Sequence, residues 1–145
     1  MAELIYPRSP REVMDGWIYL PRFIDKIRLH LAGKLHADYQ GNFAYKGFDS
    51  KWLAAAGLKP EDFIAVVQDT VTDGQVFDWV RVNVKKTAAE KAVFNQAVLG
   101  LGAEPGPEGE ATRERLKQRK EQAGLAHRDD IRTFVDFIDA DEKRL

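Results

Sequence analysis

The residues able to build a site are few and closely spaced. Arg22, Asp25 and Lys26 lie three and four apart, a spacing that gathers side chains on one side of a helix. Arginine offers a carboxylate or phosphate a planar two-donor fork, and an aspartate beside it fixes the direction of that fork. The trio is a candidate anion or carboxylate site. The plainer alternative is a structural ion-pair cluster, in which an exposed pair contributes only about 0–1 kcal/mol.

A second candidate lies downstream. The stretch 38–48 holds four aromatics and two glycines in eleven residues. With Trp17 and Trp52 on its flanks, it could wall a small-molecule pocket whose polar tips are Tyr39, Tyr45, Asp49 and Arg22. The competing reading is a satellite core beneath a long loop. The expected ligand-binding set is therefore Arg22, Asp25, Lys26, Tyr39, Tyr45, Asp49 and Trp52.

Other chemistries find less support. His30 and His36 are six apart with Gly33 between them, so they do not share a helix face as a zinc pair would. The acidic group Asp136, Asp139, Asp141 and Glu142 matches no calcium loop. These carboxylates oppose the dipole of the last helix, and Lys143 and Arg144 directly follow to offset them. No serine stands in a nucleophile-elbow context. Gly100-Leu101-Gly102 reads as a helix stop and not as a phosphate loop. With no cysteine in the chain, a disulfide, a thiolate metal site and a cysteine nucleophile are all excluded. No metal site, cofactor motif or catalytic residue is assigned.

The balance of 22 Lys and Arg against 23 Asp and Glu, net −1, argues against a nucleic-acid partner, which needs a basic excess. The opening residues carry neither the basic nor the apolar stretch of a secretion signal. No apolar run approaches membrane-spanning length. A soluble, cytoplasmic protein without a membrane partner is expected.

The elements that must position these residues read as helices. The 145 residues, 44% of them hydrophobic, suffice for one domain with a proper core. Residues 1–8 form an arm. Ser9-Pro10-Arg11-Glu12 has the form of a capping box and predicts a short helix that ends at Gly16. The central helix follows from near Pro21 to Gly33. At about 100° per residue it puts Leu20, Phe23, Ile24, Ile27 and Leu31 on one face and the Arg22 trio, with Leu29, on the other. The stretch 35–48 is an ordered loop with an extended piece at 42–45. Asp49 then caps a helix over 50–56, stopped by Gly57, with Trp52, Leu53 and Ala56 inward.

Pro60 opens a helix with Phe63, Val66 and Val67 as its core face. Further boxes at Thr72–Gln75 and Thr87–Glu90 open two more helices. Residues 103–109 are a linker-like loop. Residues 110–122 form a helix whose only large apolar residue is Leu116, and such a helix is exposed. A last amphipathic segment over 129–139 carries Ile131, Phe134, Val135 and Ile138. The fold class is all-α, a compact irregular multi-helix single domain with few or no strands.

The strings Ser9-Pro10-Arg11-Glu12, Leu20-Pro21-Arg22-Phe23-Ile24-Asp25-Lys26, Phe48-Asp49, Trp52-Leu53 and Gly57-Leu58, with 133–142 at the end, resemble the domain-of-unknown-function 5069 family. The resemblance implies a small, helical bacterial protein and brings no activity with it. The function expected is that of a non-catalytic module that binds a protein partner or forms a homodimer. The alternative is a small-ligand-binding protein or enzyme with a small anionic ligand held near the 39–49 aromatic loop.

Overall fold

Asp15 and Gly16 decide how the chain begins. Both take the left-handed region, φ 51° and 77°, as the two centre residues of a type I′ hairpin turn must. The flanking strands, β1 (Val13–Met14) and β2 (Trp17–Ile18), pair antiparallel with Val13 opposite Ile18 and Met14 opposite Trp17. The computed structural model describes residues 4–145. The arm read at 1–8 therefore lies partly outside the described residues.

The helix expected from Ser9 is absent. Ser9–Glu12 is a turn, closed by the Glu12 N–H on the Ser9 carbonyl at 3.1 Å and by the Arg11 N–H on the Ser9 hydroxyl at 3.1 Å. A serine hydroxyl serves a turn as readily as a helix cap, and Pro10 suits the second position of either. Gly16 turns a hairpin and does not stop a helix.

Tyr19, left-handed at φ 75° without being glycine, leads into α1 (Leu20–Leu31). Leu20, Phe23, Ile24 and Ile27 are fully buried, as their spacing requires. Leu31 departs from that face: it ends the helix and is 43% exposed. The other side is also covered, since Arg22 and Lys26 are 3% and 4% exposed. The central helix thus holds its charges inside.

The stretch read as a loop contains α2 (Ala37–Gln40), capped by the His36 Nδ1, which accepts from the Asp38 N–H at 3.2 Å. Residues 41–45 are turns, not an extended piece. Next comes α3 (Gly47–Ala56). Asp49 is not its cap. It lies inside the first turn, and its carboxylate points elsewhere. The αL glycine Gly57 closes the helix as expected (φ 76°).

Three helices follow the sequence reading: α4 (Pro60–Gln68), α5 (Asp73–Asn83) and α6 (Ala88–Gly100). The boxes before α5 and α6 each make both reciprocal bonds, Thr72 with Gln75 and Thr87 with Glu90. Helix α1 packs on the hairpin and on α4, and α4 on α5. Trp52 is the hub of this core, within 4.8–6.0 Å of the Phe63, Trp17 and Phe23 rings.

Residues 103–109, linker-like by composition, contain a 3-10 turn at Pro107–Gly109 that leads into α7 (Glu110–Gln122). Leu116 is the buried residue of α7. The last helix, α8 (Phe134–Asp141), packs on α7 and starts later than expected, at a Thr133–Asp136 capping box. Among the described residues there are eight α-helices and two short strands, and 58% of these residues are helical. The chain divides into two compact units, one up to Phe94 and one from Asn95 to Leu145.

Candidate functional site

The seven expected ligand-binding residues go to different places within the first unit. Lys26 and Asp49 form an ion pair at 2.8 Å, with side chains 5% and 0% exposed. The second Asp49 oxygen accepts the Tyr19 hydroxyl in a short hydrogen bond. The oxygen facing Lys26 also accepts the Ala44 N–H at 2.8 Å. Three donors thus converge on one buried carboxylate, as a buried charge requires.

Two of those donors sit on strained backbone. Tyr19 and Ala44 are both left-handed, φ 75° and 59°, although neither is glycine. Each such residue costs on the order of 1–2 kcal/mol. The carboxylate of Asp49 holds both in place. Burial pushes the Tyr19 phenol pKa well up, the Asp49 charge adds to this, and Arg22 opposes it. Tyr19 is therefore a neutral donor.

Arg22 donates to the Arg8 carbonyl at 3.1 Å and stacks its guanidinium over the Tyr39 ring, 5.6 Å from the centroid. Asp25 does not orient Arg22. It takes the Arg8 side chain at 2.9 and 3.0 Å and the Arg8 N–H at 2.8 Å. Arg8 also reaches Asp73 at 2.8 Å, and the other Asp73 oxygen takes Arg28 at 2.6 Å. This second network joins the N-terminal arm, α1 and α5. For Arg8, burial works to lower the pKa, and the bonds to Asp25 and Asp73 outweigh it to raise it. For Asp73, burial works to raise the pKa, and Arg8 and Arg28 outweigh it to lower it.

Trp52 belongs to the core, Tyr39 is half-buried and Tyr45 is 64% exposed. The sequence reading named Lys26 and Asp49 in two separate candidates, and the folded chain pairs them. That reading placed Arg28 at the margin of the Arg22 side and missed Tyr19, Ala44, Arg8 and Asp73. The one available signal was Asp15-Gly16, whose hairpin sets where Tyr19 enters α1.

The first unit also carries an open groove of about 390 Å³. Val13, Met14, Pro21 and Phe77 are its apolar lining and Arg8, Glu12, Asp15 and Asp73 its charged lining. Val13 is 58% exposed there. In the second unit the acidic end of α8 is met by Arg144, which bonds Asp139 at 3.2 Å and Glu142 at 2.6 Å.

The family described as Domain of unknown function (DUF5069) matches residues 5–144. The chain belongs to that family. Among curated proteins none matches the chain. The strings that carry the family resemblance supply both halves of the Lys26–Asp49 pair and Asp25 of the second network. Among the described residues no helix is long and apolar enough to cross a membrane.

Proposed function

We propose that this member of the family is a non-catalytic module that self-associates through the groove beside the hairpin. The observation that carries the reading is the composition of that groove. Apolar side chains (Val13, Met14, Pro21, Phe77) and charged ones (Arg8, Glu12, Asp15, Asp73) line it together, and protein interfaces mix the two in this way. Under a two-fold axis such a patch faces its own copy, with Val13 of one copy against Val13 of the other and the exposed Glu12 turned to solvent at the edge. Lys26 and Asp49 pair with each other, Asp25 with Arg8, and Arg22 with the Arg8 carbonyl and the Tyr39 ring. The chain has no disulfide to lose, so work in the reducing cytoplasm belongs to the same reading.

Sedimentation equilibrium tests it. The wild-type chain is expected to dimerise and Val13→Asp to remain monomeric at the same concentrations. Val13 is 58% exposed, and matching thermal melts check that the variant folds. A monomeric wild type throughout the micromolar range, or a Val13→Asp dimer as tight as wild type, overturns the reading. A dimer large enough to be stable should bury more than about 1,000 Å².

A second reading keeps the small anionic ligand near the aromatic loop. The Arg22–Tyr39 stack at 5.6 Å favours it. Thermal shift by small dicarboxylates that disappears in Tyr39→Ala supports this alternative, and equal shifts in both proteins remove it.

A further inference from the structure

The second unit carries a cleft of about 200 Å³ whose lining holds Arg113, Lys117, Lys120 and Arg132 against one carboxylate, Glu121. Leu116 and Ile131, 5% and 3% exposed, supply its apolar surface. Four cations against one carboxylate in one cleft leave it with a positive excess. Here none of the four forms an ion pair among the described residues.

Two of the four are fixed by backbone carbonyls. The Lys120 ammonium donates to the carbonyls of Arg128 at 2.7 Å and Ile131 at 3.2 Å. The Arg113 guanidinium donates to the carbonyl of Glu104 in a short bond and to that of Gly106 at 3.0 Å. Carbonyls position a cation without cancelling its charge. Asp130 feels Lys120 across space, but Asp130 is itself paired with Arg128 at 2.6 Å. Lys117 and Arg132 are exposed and make no side-chain bond among the described residues. The cleft therefore has two cations held by carbonyls and two exposed ones beside an apolar wall.

We propose that this cleft binds a small phosphate monoester, the dianion among the four cations and the ester carbon chain against Leu116 and Ile131. Arg113, Lys117 and Lys120 line the cleft from α7 and Arg132 lines it from the segment before α8, and several cations in one cleft suit a tetrahedral oxyanion with multiple acceptor oxygens. The volume lies below the roughly 300–1,000 Å³ of drug-sized sites, which restricts the ligand to a small one. Free phosphate presents the same dianion, so the apolar wall is what separates the two sources.

The experiment is calorimetric titration of the full chain with phenyl phosphate and, separately, inorganic phosphate at fixed ionic strength. Phenyl phosphate should bind saturably and about tenfold more tightly than phosphate, the difference an apolar contact of this size supplies. Equal affinities would assign the site to free phosphate and overturn the ester. The double variant Lys117→Gln/Arg132→Gln should lose at least about tenfold in affinity, as expected for charge-assisted contacts. Arg119→Gln, on the same helix but outside the cleft, should bind as wild type. Loss of equal size in Arg119→Gln would reduce the effect to net charge and overturn the site. So would the absence of saturable binding, or tighter binding of a single-stranded oligonucleotide than of phenyl phosphate. All the substituted residues are exposed, and matching thermal melts check that the variants fold.

Discussion

On α1, Lys26 and Arg28 each meet a carboxylate brought by another segment of the first unit, and Arg22 meets the carbonyl of Arg8. On α7, Arg113 and Lys120 meet only carbonyls, and Lys117 has no partner among the described residues. The residue types are the same in both helices. Helix α1 lies inside its unit with apolar residues on one side, so its cations must be neutralised or held. Helix α7 has Leu116 as its one buried residue and is otherwise solvated. Its cations can remain uncompensated because water screens them. The lesson is that an Arg- and Lys-bearing helix indicates a ligand site only where carboxylates do not already occupy the cations.

The comparison predicts a hierarchy of effects. The largest belongs to the Lys26–Asp49 pair. Asp49→Ala should destabilise the protein by about 3–5 kcal/mol, the usual cost of leaving one member of a buried pair alone. Urea denaturation measures it. The double change Lys26→Met/Asp49→Leu should recover most of that loss, because apolar replacement of a buried pair is often neutral. A double variant no more stable than Asp49→Ala would show that holding Tyr19 and Ala44 in their left-handed conformations matters more than the ion pair.

Gly109→Ala comes next. A Cβ at this position would stand 2.0 Å from the Glu104 carbonyl oxygen and 2.8 Å from the Arg113 guanidinium. The backbone must move, which typically costs about 1–3 kcal/mol. The same change should weaken phenyl phosphate binding, since it displaces one of the held cations. Unchanged melting and unchanged binding together would contradict this account.

A smaller effect follows from Asp73. Its folded-state pKa is lowered from the ordinary 3.8, because the bonds to Arg8 and Arg28 outweigh burial. A group with a depressed folded pKa contributes stability above its unfolded pKa and loses it as pH falls through the folded value. The stability difference between wild type and Asp73→Asn should therefore be present at neutral pH and shrink on acidification below about pH 4. Asp73 is 37% exposed, so the difference is modest and should fall further in salt. A difference independent of pH would remove the charge from the explanation. The smallest effect belongs to α7: Lys117→Gln should change stability by no more than about 0.5 kcal/mol, whatever it does to ligand binding.

Much of the helical framework was legible in local sequence. The Thr72–Gln75 and Thr87–Glu90 boxes opened helices because their bonds close within four residues and need nothing distant. Ser9–Glu12 has the same letters and made a turn, because Asp15-Gly16 just beyond it committed the chain to a hairpin. The apolar stripe of α1 was readable from Leu20 to Ile27 because helical period alone sets it. That Arg22 and Lys26 are buried was not readable. Their burial depends on Arg8, Tyr39 and Asp49, which are 14–23 residues away along the chain from the side chains they meet.

Sequence alone determined the helix starts at Pro60, Thr72 and Thr87, the αL stop at Gly57, the exposed character of α7 and the absence of any thiol chemistry. Each depends on residues within one or two turns, or on composition. Tertiary structure decided which charges meet. It paired Lys26 with Asp49 and gave Asp25 to Arg8, while the α7 cations remained without carboxylate partners. The reason is physical: hydrogen-bond capping and helical period act over a few residues, whereas charge pairing depends on distances in space that only the folded chain sets.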